Sequence, residues 1–379
     1  MSEHIIILLR ASSRNKINTK PKVFCKHLFC FSLYSDSMMD ISLIIRYLVA
    51  IAIAFGLSYH GLSKKSLNVS GSLAAVFVGF ASFACSYRFG LILILFYYSS
   101  SKFTKWKQEY KASIEEDYAV GGQRNWIQVL ASSFLATLVA IIFYFTCGED
   151  QNISFGVPND TDNIFELYDY RINTTRLATY LWILYISHYC TANADTWASE
   201  LGVLSSHEPR LVTSFFLRSV PKGTNGGMSL FGTAASGAGG LFIGIIYWIF
   251  SFLPSIISNT RDPYNQWPIL IFTLLCGLLG SLIDSILGAT VQATYYSKEK
   301  KCIVKIHHSN ELKDHKDKSI KCICGINILS NEAVNLVSIL LTMILSIWLA
   351  PNLYCWLDTT QCFEANWINT LLWQKIVSY

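Results

Sequence analysis

The sequence predicts an all-α fold, a polytopic integral membrane helical bundle with about eight transmembrane helices. Of the 379 residues, 52% are hydrophobic and only 15% are charged, whereas a typical soluble domain carries about 25% charged residues. Several apolar runs are about as long as one bilayer crossing. Strand-type alternation is absent, so we expect helices and not an outer-membrane barrel.

The apolar runs define the predicted spans, approximate at both ends. In chain order they cover residues 41–58, 70–86, 88–103, 126–146, 177–194, 229–253, 267–290 and 333–350. The fourth and eighth runs contain no charged residue and are the strongest. The second and third are separated only by Ser86 and Tyr87, next to Arg88, so they form either a tight helical hairpin or one broken element.

The charges of the loops predict the topology. The charged residues of 147–176 are mostly acidic. The segment also carries three N-glycosylation sequons, at Asn152, Asn159 and Asn173, which indicates a lumenal face. Lysines accumulate in 102–125 and 296–331, and short basic loops favour the cytosol. Alternation then places 59–69, 102–125, 195–228 and 291–332 in the cytosol. The sequons favour the secretory pathway, and we expect the endoplasmic reticulum.

The first 39 residues conflict with that topology. They carry six basic residues on the predicted lumenal side, and their apolar pieces are too short to span. We expect either a poorly ordered extension or a product that starts near Met39; a miscounted second and third pair would instead move the N-terminus to the cytosol. The predicted organisation is an extension 1–39, a membrane domain 40–350 with a cytosolic site, and a lumenal tail 351–379.

The cysteines and histidines give little evidence for a metal centre. Eleven cysteines are too few for a disulfide scaffold in a chain of this length. Cys355 and Cys362 could pair in the lumenal tail, while the cysteines and histidines of 296–331 do not match zinc patterns. His188 is expected to form a hydrogen bond inside the bundle and not to bind a ligand.

Carboxylates occur at the cytosolic edge of two spans. Asp195 and Glu200 follow the fifth span, and Asp284 lies inside the seventh, beside Ser285. A carboxylate in a membrane segment is costly unless it is solvated, paired or bound to a cation. We predict that Asp195, Glu200 and Asp284 are catalytic, and that Asp195 and Asp284 hold Mg²⁺. On a helix, Asp195 and Ser199 lie one turn apart.

A glycine-rich turn precedes the sixth span. Such a turn at a helix N-terminus offers free backbone amides to phosphate, although its spacing is not that of a Walker A loop. We predict a catalytic role for Lys222. Nucleotide binding is predicted for Arg218, Gly223, Thr224, Asn225, Gly226, Gly227 and Ser285, with Arg124 a weaker phosphate-binding candidate. The same residues are compatible with a plain turn and ordinary basic flanks, so phosphoryl transfer, transport and a scaffold role all stay open at this point.

Longer stretches around these residues carry a family resemblance. They read ADTWASELG, VPKGTNGGMSLFGTAAS, GSLIDSILGAT, GGQRNW and NEAVNL. Over residues 40–350 the chain resembles the transmembrane protein 19 family. That family is similar to plant phytyl-phosphate kinases and, more remotely, to polyprenol kinases and CDP-diacylglycerol synthases. The extension 1–39 and the loop 296–331 depart from the pattern.

The resemblance implies a lipid-phosphate kinase-like or nucleotidyl-transfer site. By motif position it comprises Asp195, Glu200, Lys222, Asn225, Gly226, Gly227, Asp284 and Ser285. The expected reaction is Mg²⁺-dependent phosphorylation of a membrane lipid, a prenyl-type monophosphate, by CTP or ATP. No feature indicates a nucleic-acid partner. The alternative is a membrane transporter or lipid-binding protein without catalytic activity, which would need no nucleotide.

Overall fold

The computed structural model describes residues 41–116, 122–148, 151–155, 164–167, 170–214, 218–252, 265–304 and 319–358. Within these ranges the chain is mostly helical. The helices are α1 (Ile41–Ser63), α2 (Val69–Cys85), α3 (Tyr87–Lys105), α4 (Gln108–Ala112), α5 (Trp126–Ala131), α6 (Phe134–Thr146), α7 (Thr174–Gly202), α8 (Leu230–Phe250), α9 (Pro268–Val291) and α10 (Asn331–Leu357). The extension 1–39 lies outside the described residues.

Four of the described helices are long and apolar enough to cross a membrane. They are α1 from Leu43 onward, α8, α9 and α10, which correspond to the first, sixth, seventh and eighth predicted spans. The count of eight is not confirmed. Helices α2 and α6 are apolar but shorter, and α3 and α7 are long enough but too polar to join this group.

Helix α7 is the centre of the bundle, and its position explains its polarity. It packs against α3, α6, α8, α9 and α10, so most of its side chains face protein. The amide of Asn193, fully buried, accepts from the hydroxyls of Ser99 (3.1 Å) and Ser100 (3.2 Å) and donates to the Gly239 carbonyl oxygen at 2.8 Å. Polar groups that are satisfied in this way hold helices together where lipid offers no hydrogen bonds.

The fourth predicted span is two helices and not one. The break falls at Ser132 and Ser133, between α5 and α6. The Ser132 hydroxyl donates back to the Gln128 carbonyl oxygen at 3.0 Å, and the Ser132 carbonyl oxygen contacts His188 Nε2 at 2.9 Å. Serine hydroxyls compete with the helical hydrogen bonds, and His188 takes up the carbonyl group that the break exposes. The expectation that His188 forms a hydrogen bond inside the bundle is confirmed.

Small residues bring α8 and α9 into close contact. A Cβ atom added to Gly277 would lie 2.8 Å from Gly240 Cα, and one added to Gly240 would lie 2.3 Å from the Thr273 carbonyl oxygen. Only glycine allows the two backbones to approach so closely. The glycines of the sixth span therefore have a packing role.

Two junctions differ from the predicted bounds. Helices α2 and α3 are separated by the single extended residue Ser86. Helix α10 continues through Pro351 to Leu357, seven residues into the predicted tail. Cys355 lies in this last part and is disulfide-bonded, while Cys362 lies outside the described residues.

The fold is mostly helical, as predicted, but it also contains short strands that the all-α prediction did not include. A three-stranded antiparallel sheet has the order β6–β5–β7, from β5 (Thr294–Ser297), β6 (Cys302–Val304) and β7 (Ile320–Cys324). Two two-stranded antiparallel sheets add β1 (Ile164–Leu167) with β2 (Tyr170–Asn173), and β3 (Arg210–Leu211) with β4 (Gly227–Met228). The strands have two to five residues, rich in aromatic and β-branched side chains but too short for a visible alternation.

The three-stranded sheet lies beside the glycine-rich turn. Strand β6 is joined to the segment after α4, where the Ile303 amide donates to the Ile114 carbonyl oxygen at 2.8 Å and Lys300 pairs with Glu116. On the other side, a register shift between Thr294 and Tyr295 interrupts the pairing of β5 with β7. Through Ile114 and, from Thr294, through Asn225, the sheet connects the predicted cytosolic segments 102–125 and 195–228.

Candidate functional site

Most of the predicted site residues line one cavity of about 210 Å³. It lies between the C-terminal part of α7, the glycine-rich turn, the first turn of α8 and the C-terminal half of α9, and α10 closes one side. From the predicted set it contains Asp195, Lys222, Gly223, Thr224, Asn225, Gly226, Gly227, Asp284 and Ser285. Ser199 lines it too, so the expectation that Asp195 and Ser199 share a helix face is confirmed.

Two carboxylates meet inside this cavity. Asp195 comes from α7 and Asp284 from α9, and both side chains line the cavity. The oxygen Oδ2 of Asp284 accepts from the Ser338 hydroxyl at 3.0 Å. The Asn335 amide, oriented with its nitrogen toward the carboxylate, donates to the same oxygen at 3.2 Å. Two donors from α10 therefore fix the orientation of Asp284.

The glycine-rich turn is shaped by two residues with positive φ, Gly223 (+83°) and Gly226 (+71°). At Gly226 a side chain would also lack space, because an added Cβ would lie 2.4 Å from Ala289 Cβ and 2.5 Å from the Ser285 carbonyl oxygen. The turn therefore rests directly on α9, one turn of helix after Asp284. Glycine at 226 satisfies both the backbone conformation and the close approach.

The strands hold the turn in place. The Asn225 amide donates to Thr294 Oγ1 at 3.1 Å, and the Asn225 carbonyl oxygen accepts from the Cys324 thiol at 3.3 Å. Burial raises the pKa of the Cys324 thiol, which keeps it protonated and able to donate. The Gly227 amide donates to the Thr224 carbonyl oxygen at 3.0 Å. The Thr224 amide donates to the Pro221 carbonyl oxygen at 3.2 Å. Three of the predicted phosphate-binding amides, those of Thr224, Asn225 and Gly227, are thus used within the protein, so the Gly226 amide is the candidate for a phosphate oxygen.

Lys222 places a positive charge at the edge of the cavity. Its Nζ donates to the Ser205 carbonyl oxygen at 2.6 Å and to the Tyr110 hydroxyl at 2.8 Å, with the Tyr110 ring centroid 5.4 Å away. Both partners are neutral, so the charge of the ammonium group is not compensated by them. A cation in this position attracts phosphate oxygens.

Glu200 does not line the cavity. It forms an ion pair with Lys111 of α4, with Nζ to Oε2 at 2.6 Å, and the side chain of Lys111 is only 4% exposed. The same Nζ donates to the Phe103 carbonyl oxygen at 2.6 Å. Five residues beyond Asp195, the helix has turned Glu200 toward α4, so its predicted catalytic role has no support in the geometry.

Two predicted basic residues lie outside the cavity as well. Arg218 donates from Nη2 to the Ile323 carbonyl oxygen of β7 at 3.1 Å. Arg124 lies beside α2, where its backbone forms a bridge with Leu67. Burial lowers the pKa of the Arg124 guanidinium, and Glu200 and Tyr97 oppose this effect.

Sequence reasoning missed the contribution of α10. Asn331, Asn335 and Ser338 recur on one face of its first two turns, and Asn331 accepts from the Gln292 amide at 3.4 Å. The spacing of polar residues at the start of an apolar helix was the available signal. The cavity residues not predicted as site residues also include Gly202, Ser229, Gly232, Thr233, Ser281, Gly288 and Gln292.

The donor set of the cavity fits Mg²⁺. Among the described residues there is no group of three or more His, Cys, Asp or Glu side chains that could hold a metal, so a closed all-protein site is not built here. Mg²⁺ usually keeps several waters and binds through one or two carboxylates plus substrate phosphates. Asp195 and Asp284 supply the carboxylates, and the amide oxygens of Asn225 and Asn331 are hard donors nearby.

The arrangement combines two carboxylates, one uncompensated cation and a glycine turn in one polar cavity at the end of a membrane bundle. Carboxylates for a divalent ion, with a lysine and backbone amides for phosphate oxygens, are what phosphoryl transfer requires. A serine or cysteine nucleophile activated by histidine is not formed by the residues described around this cavity.

Comparison with known proteins gives a family match. The sequence profile of the family described as "Integral membrane protein DUF92" matches residues 52–343. The matched range contains all the residues of the cavity. No solved structure matches the chain.

Individual relatives come from plants, archaea and cyanobacteria. The chain is 35% identical over 309 residues to "Protein PGR" of Arabidopsis thaliana, which covers 81% of this chain and 97% of the relative. It is 26% identical over 271 residues to an uncharacterized membrane protein of Methanocaldococcus jannaschii, covering 70% and 89%. An uncharacterized membrane protein of Synechocystis is 31% identical over 114 residues, covering 30% and 39%.

Proposed function

Since the chain belongs to the DUF92 family of integral membrane proteins, we propose that it is a membrane enzyme that transfers a phosphoryl group from CTP or ATP to a prenyl-type lipid monophosphate. The observation that carries the proposal is that Asp195 and Asp284, from two different helices, line one cavity together with Lys222. A membrane protein gains no packing advantage from placing two carboxylates together, so a bound cation is the simplest reason for them.

The chemistry is balanced without a further reactant. An oxygen of the lipid monophosphate attacks the γ-phosphorus of the nucleotide, and the bond from that phosphorus to the β,γ-bridging oxygen breaks. The products are a lipid diphosphate and a nucleoside diphosphate. Because the second pKa of a phosphate monoester is about 6, the acceptor is largely a dianion at neutral pH and needs no general base.

The roles of the residues follow from their places in the cavity. Asp195 and Asp284 would hold Mg²⁺, which when bound neutralises charge on the nucleotide phosphates. Ser338 and Asn335 would keep Asp284 in orientation. Lys222 and the Gly226 amide would hold phosphate oxygens, while the other residues of the glycine turn shape the cavity wall.

The proposal includes the finer features of topology. We place four further spans, one each at α2, at α3, at α5 together with α6, and at α7, which with the four long apolar helices makes the predicted eight. Helix α7 has 29 residues, about 43 Å at 1.5 Å per residue, and its polar face is covered by protein. The three sequons and the disulfide-bonded Cys355 support an oxidising lumen, and hence the endoplasmic reticulum.

The test is a transfer assay with the purified full chain in liposomes. Phytyl or farnesyl monophosphate is incubated with γ-labelled CTP or ATP and Mg²⁺, and labelled lipid diphosphate is measured. We expect Asp195→Asn and Asp284→Asn to insert and fold as wild type but to lose more than the roughly 10–100-fold that residues which only orient a metal ligand contribute. Glu299→Gln, which removes an exposed carboxylate outside the cavity, is the matched control.

Each outcome separates the alternatives. Unchanged Mg²⁺-dependent nucleotide binding and turnover in both aspartate variants would remove the proposed site. Movement of the lipid phosphate across the vesicle membrane without nucleotide, abolished by the same variants, would establish the transporter alternative instead.

A further inference from the structure

A second, larger cleft adjoins the cavity of the two aspartates. It measures about 850 Å³ and opens between the segment 204–212 and the first turn of α8. Cavities of about 300–1,000 Å³ are typical of sites for small ligands. Three residues, Met228, Ser229 and Thr233, line both the cleft and the cavity, so the two spaces meet at the beginning of α8.

The cleft has a polar side with two side chains that can donate hydrogen bonds to an anion. His207 and Arg210 line it, and both are exposed. The acidic residue in the same wall is Glu208, whose Oε2 accepts from the Ser219 hydroxyl at 2.7 Å. The backbone of Arg210 pairs with Met228 across the β3–β4 sheet, so its position in the cleft wall is set by backbone hydrogen bonds. Arginine is well suited to phosphate because its planar group donates two parallel hydrogen bonds.

The other side of the cleft is apolar and lies where a bilayer begins. Leu230 is 93% exposed and Phe231 is 48% exposed, and both belong to the first turn of α8, one of the helices long enough to cross a membrane. Large apolar side chains at such a boundary are stabilised by lipid chains and not by water. A ligand of this cleft would thus contact Arg210 and His207 at one end, and Leu230 and Phe231 at the other.

The cleft and the cavity are also linked by a hydrogen bond. Ser205 belongs to the cleft wall, and its carbonyl oxygen accepts from Lys222 Nζ at 2.6 Å. A ligand that moves the segment 204–212 would therefore change the position of the cation that faces the cavity. Ser229 and Thr233 line both spaces, so a headgroup in the cleft and phosphates in the cavity would meet at these residues.

We infer that this cleft is the binding site for an amphipathic lipid with a phosphate monoester headgroup, whose phosphate contacts Arg210 and His207 and whose chain leaves over Leu230 and Phe231 into the bilayer. This deepens the proposed function, on which it rests, by assigning the acceptor lipid its own site apart from the nucleotide. In that arrangement, Arg210 is a binding residue for the acceptor, whereas Asp195 and Asp284 belong to the donor.

The experiment measures lipid binding without nucleotide or Mg²⁺. The full chain is placed in nanodiscs of a zwitterionic lipid, and the binding of labelled farnesyl monophosphate is compared with that of farnesol and of inorganic phosphate, after subtraction of empty nanodiscs. We expect farnesyl monophosphate to bind more tightly than either partial ligand. The double variant Arg210→Gln/His207→Asn should weaken it by about tenfold or more, the contribution of one or two charge-assisted hydrogen bonds.

Two variants control for nonspecific effects. Lys298→Gln removes one positive charge from an exposed position outside the cleft and should leave binding unchanged. Leu230→Asn should weaken farnesyl monophosphate and leave inorganic phosphate unaffected. Equal binding by wild type and the double variant, each eluting as a folded monodisperse species, would overturn the inference, as would an equal loss in Lys298→Gln. A site for free phosphate alone would show as inorganic phosphate binding as tightly as the lipid.

The failure of this inference can be distinguished from the failure of the proposed reaction. Asp195→Asn should keep full lipid binding, because it does not line the cleft. Arg210-dependent lipid binding without any transfer would leave the cleft assigned and refute the kinase activity. Transfer with an unchanged KM for lipid in the double variant would retain the activity and place the acceptor elsewhere.

Discussion

At the scale of single residues, the ion pair of Lys111 and Glu200 allows a structural role of Glu200 to be distinguished from a catalytic one. With Lys111 4% and Glu200 19% exposed, removal of either partner leaves a buried charge. We expect Lys111→Met or Glu200→Gln to lower the free energy of unfolding by about 3–5 kcal/mol, and the double variant to lose clearly less than the sum. Denaturation of the purified protein in detergent, evaluated as a double-mutant cycle, measures this coupling.

The same cycle tests the catalytic role predicted for Glu200. If the pair is structural, the double variant should keep nucleotide turnover at temperatures where it is folded. Additive losses of stability, together with loss of turnover in every variant that lacks Glu200, would restore it to the site and remove the ion-pair explanation.

The sequence could identify some of these residues and not others for a physical reason. Asp195 and Asp284 are conspicuous because a carboxylate inside or at the edge of an apolar run raises the free energy of membrane insertion. The turn 222–227 is conspicuous because it contains three glycines just before a span. The partner of Glu200 is 89 residues away in the chain, in a helix of only five residues. Each residue rotates the helix by about 100°, so sequence alone does not tell which carboxylate faces the cavity.

At the scale of elements, the contact of α8 with α9 sets the width of the cavity, since both helices line it. We expect Gly240→Ala and Gly277→Ala each to destabilise the protein by about 1–3 kcal/mol, because the added methyl group meets backbone atoms of the facing helix. Gly56→Ala in α1 is the matched control: nothing lies within 4 Å of its added Cβ, and alanine has the higher helix propensity.

Thermal unfolding in a common detergent compares the three variants. A Gly277→Ala protein as stable as the Gly56→Ala protein would show that the two helices separate freely, and the close approach of α8 to α9 would then not determine the geometry of the site.

Helices and strands were predictable where hydropathy alone determines their position. They were not predictable where hydrogen bonds to distant residues determine it. Helices α1, α8, α9 and α10 follow directly from their apolar composition. The break at Ser132 depends on His188, which belongs to another helix. The β5–β7 sheet was missed because its strands sit in a lysine-rich loop, and their partners are set by contacts with the segment 114–116 and with Asn225.

At the scale of the whole molecule, the predicted topology has a test that the structure sharpens. The side chain of Asn152 donates to the Ser251 carbonyl oxygen at 2.8 Å, and the following Ile153 is fully buried. The first sequon is therefore packed against the bundle. If residues 147–176 are lumenal, we expect glycans at Asn159 or Asn173 and not at Asn152. Glycosidase treatment of single Asn→Gln variants, expressed in cells and followed by gel mobility, measures each site.

Loss of the mobility shift on Asn152→Gln alone would contradict the packing of the first sequon. A complete absence of glycans, together with access to this loop from the cytosol, would invert the topology and move the site to the lumenal side. Asn159 lies outside the described residues, so its expectation rests on the sequence.

The buried position of α7 has a consequence for how the protein is made. A segment this polar gains little from leaving the translocation channel for lipid by itself, because its buried hydroxyl and amide groups have no hydrogen-bond partners in lipid. Its neighbours α8, α9 and α10 are synthesised later. We therefore expect the helix that carries Asp195 to be integrated only after these helices have been synthesised and can cover its hydroxyl and amide groups. Mutations far from the cavity, in the three later helices, would then first be detected as slow maturation and proteasomal clearance of the nascent chain.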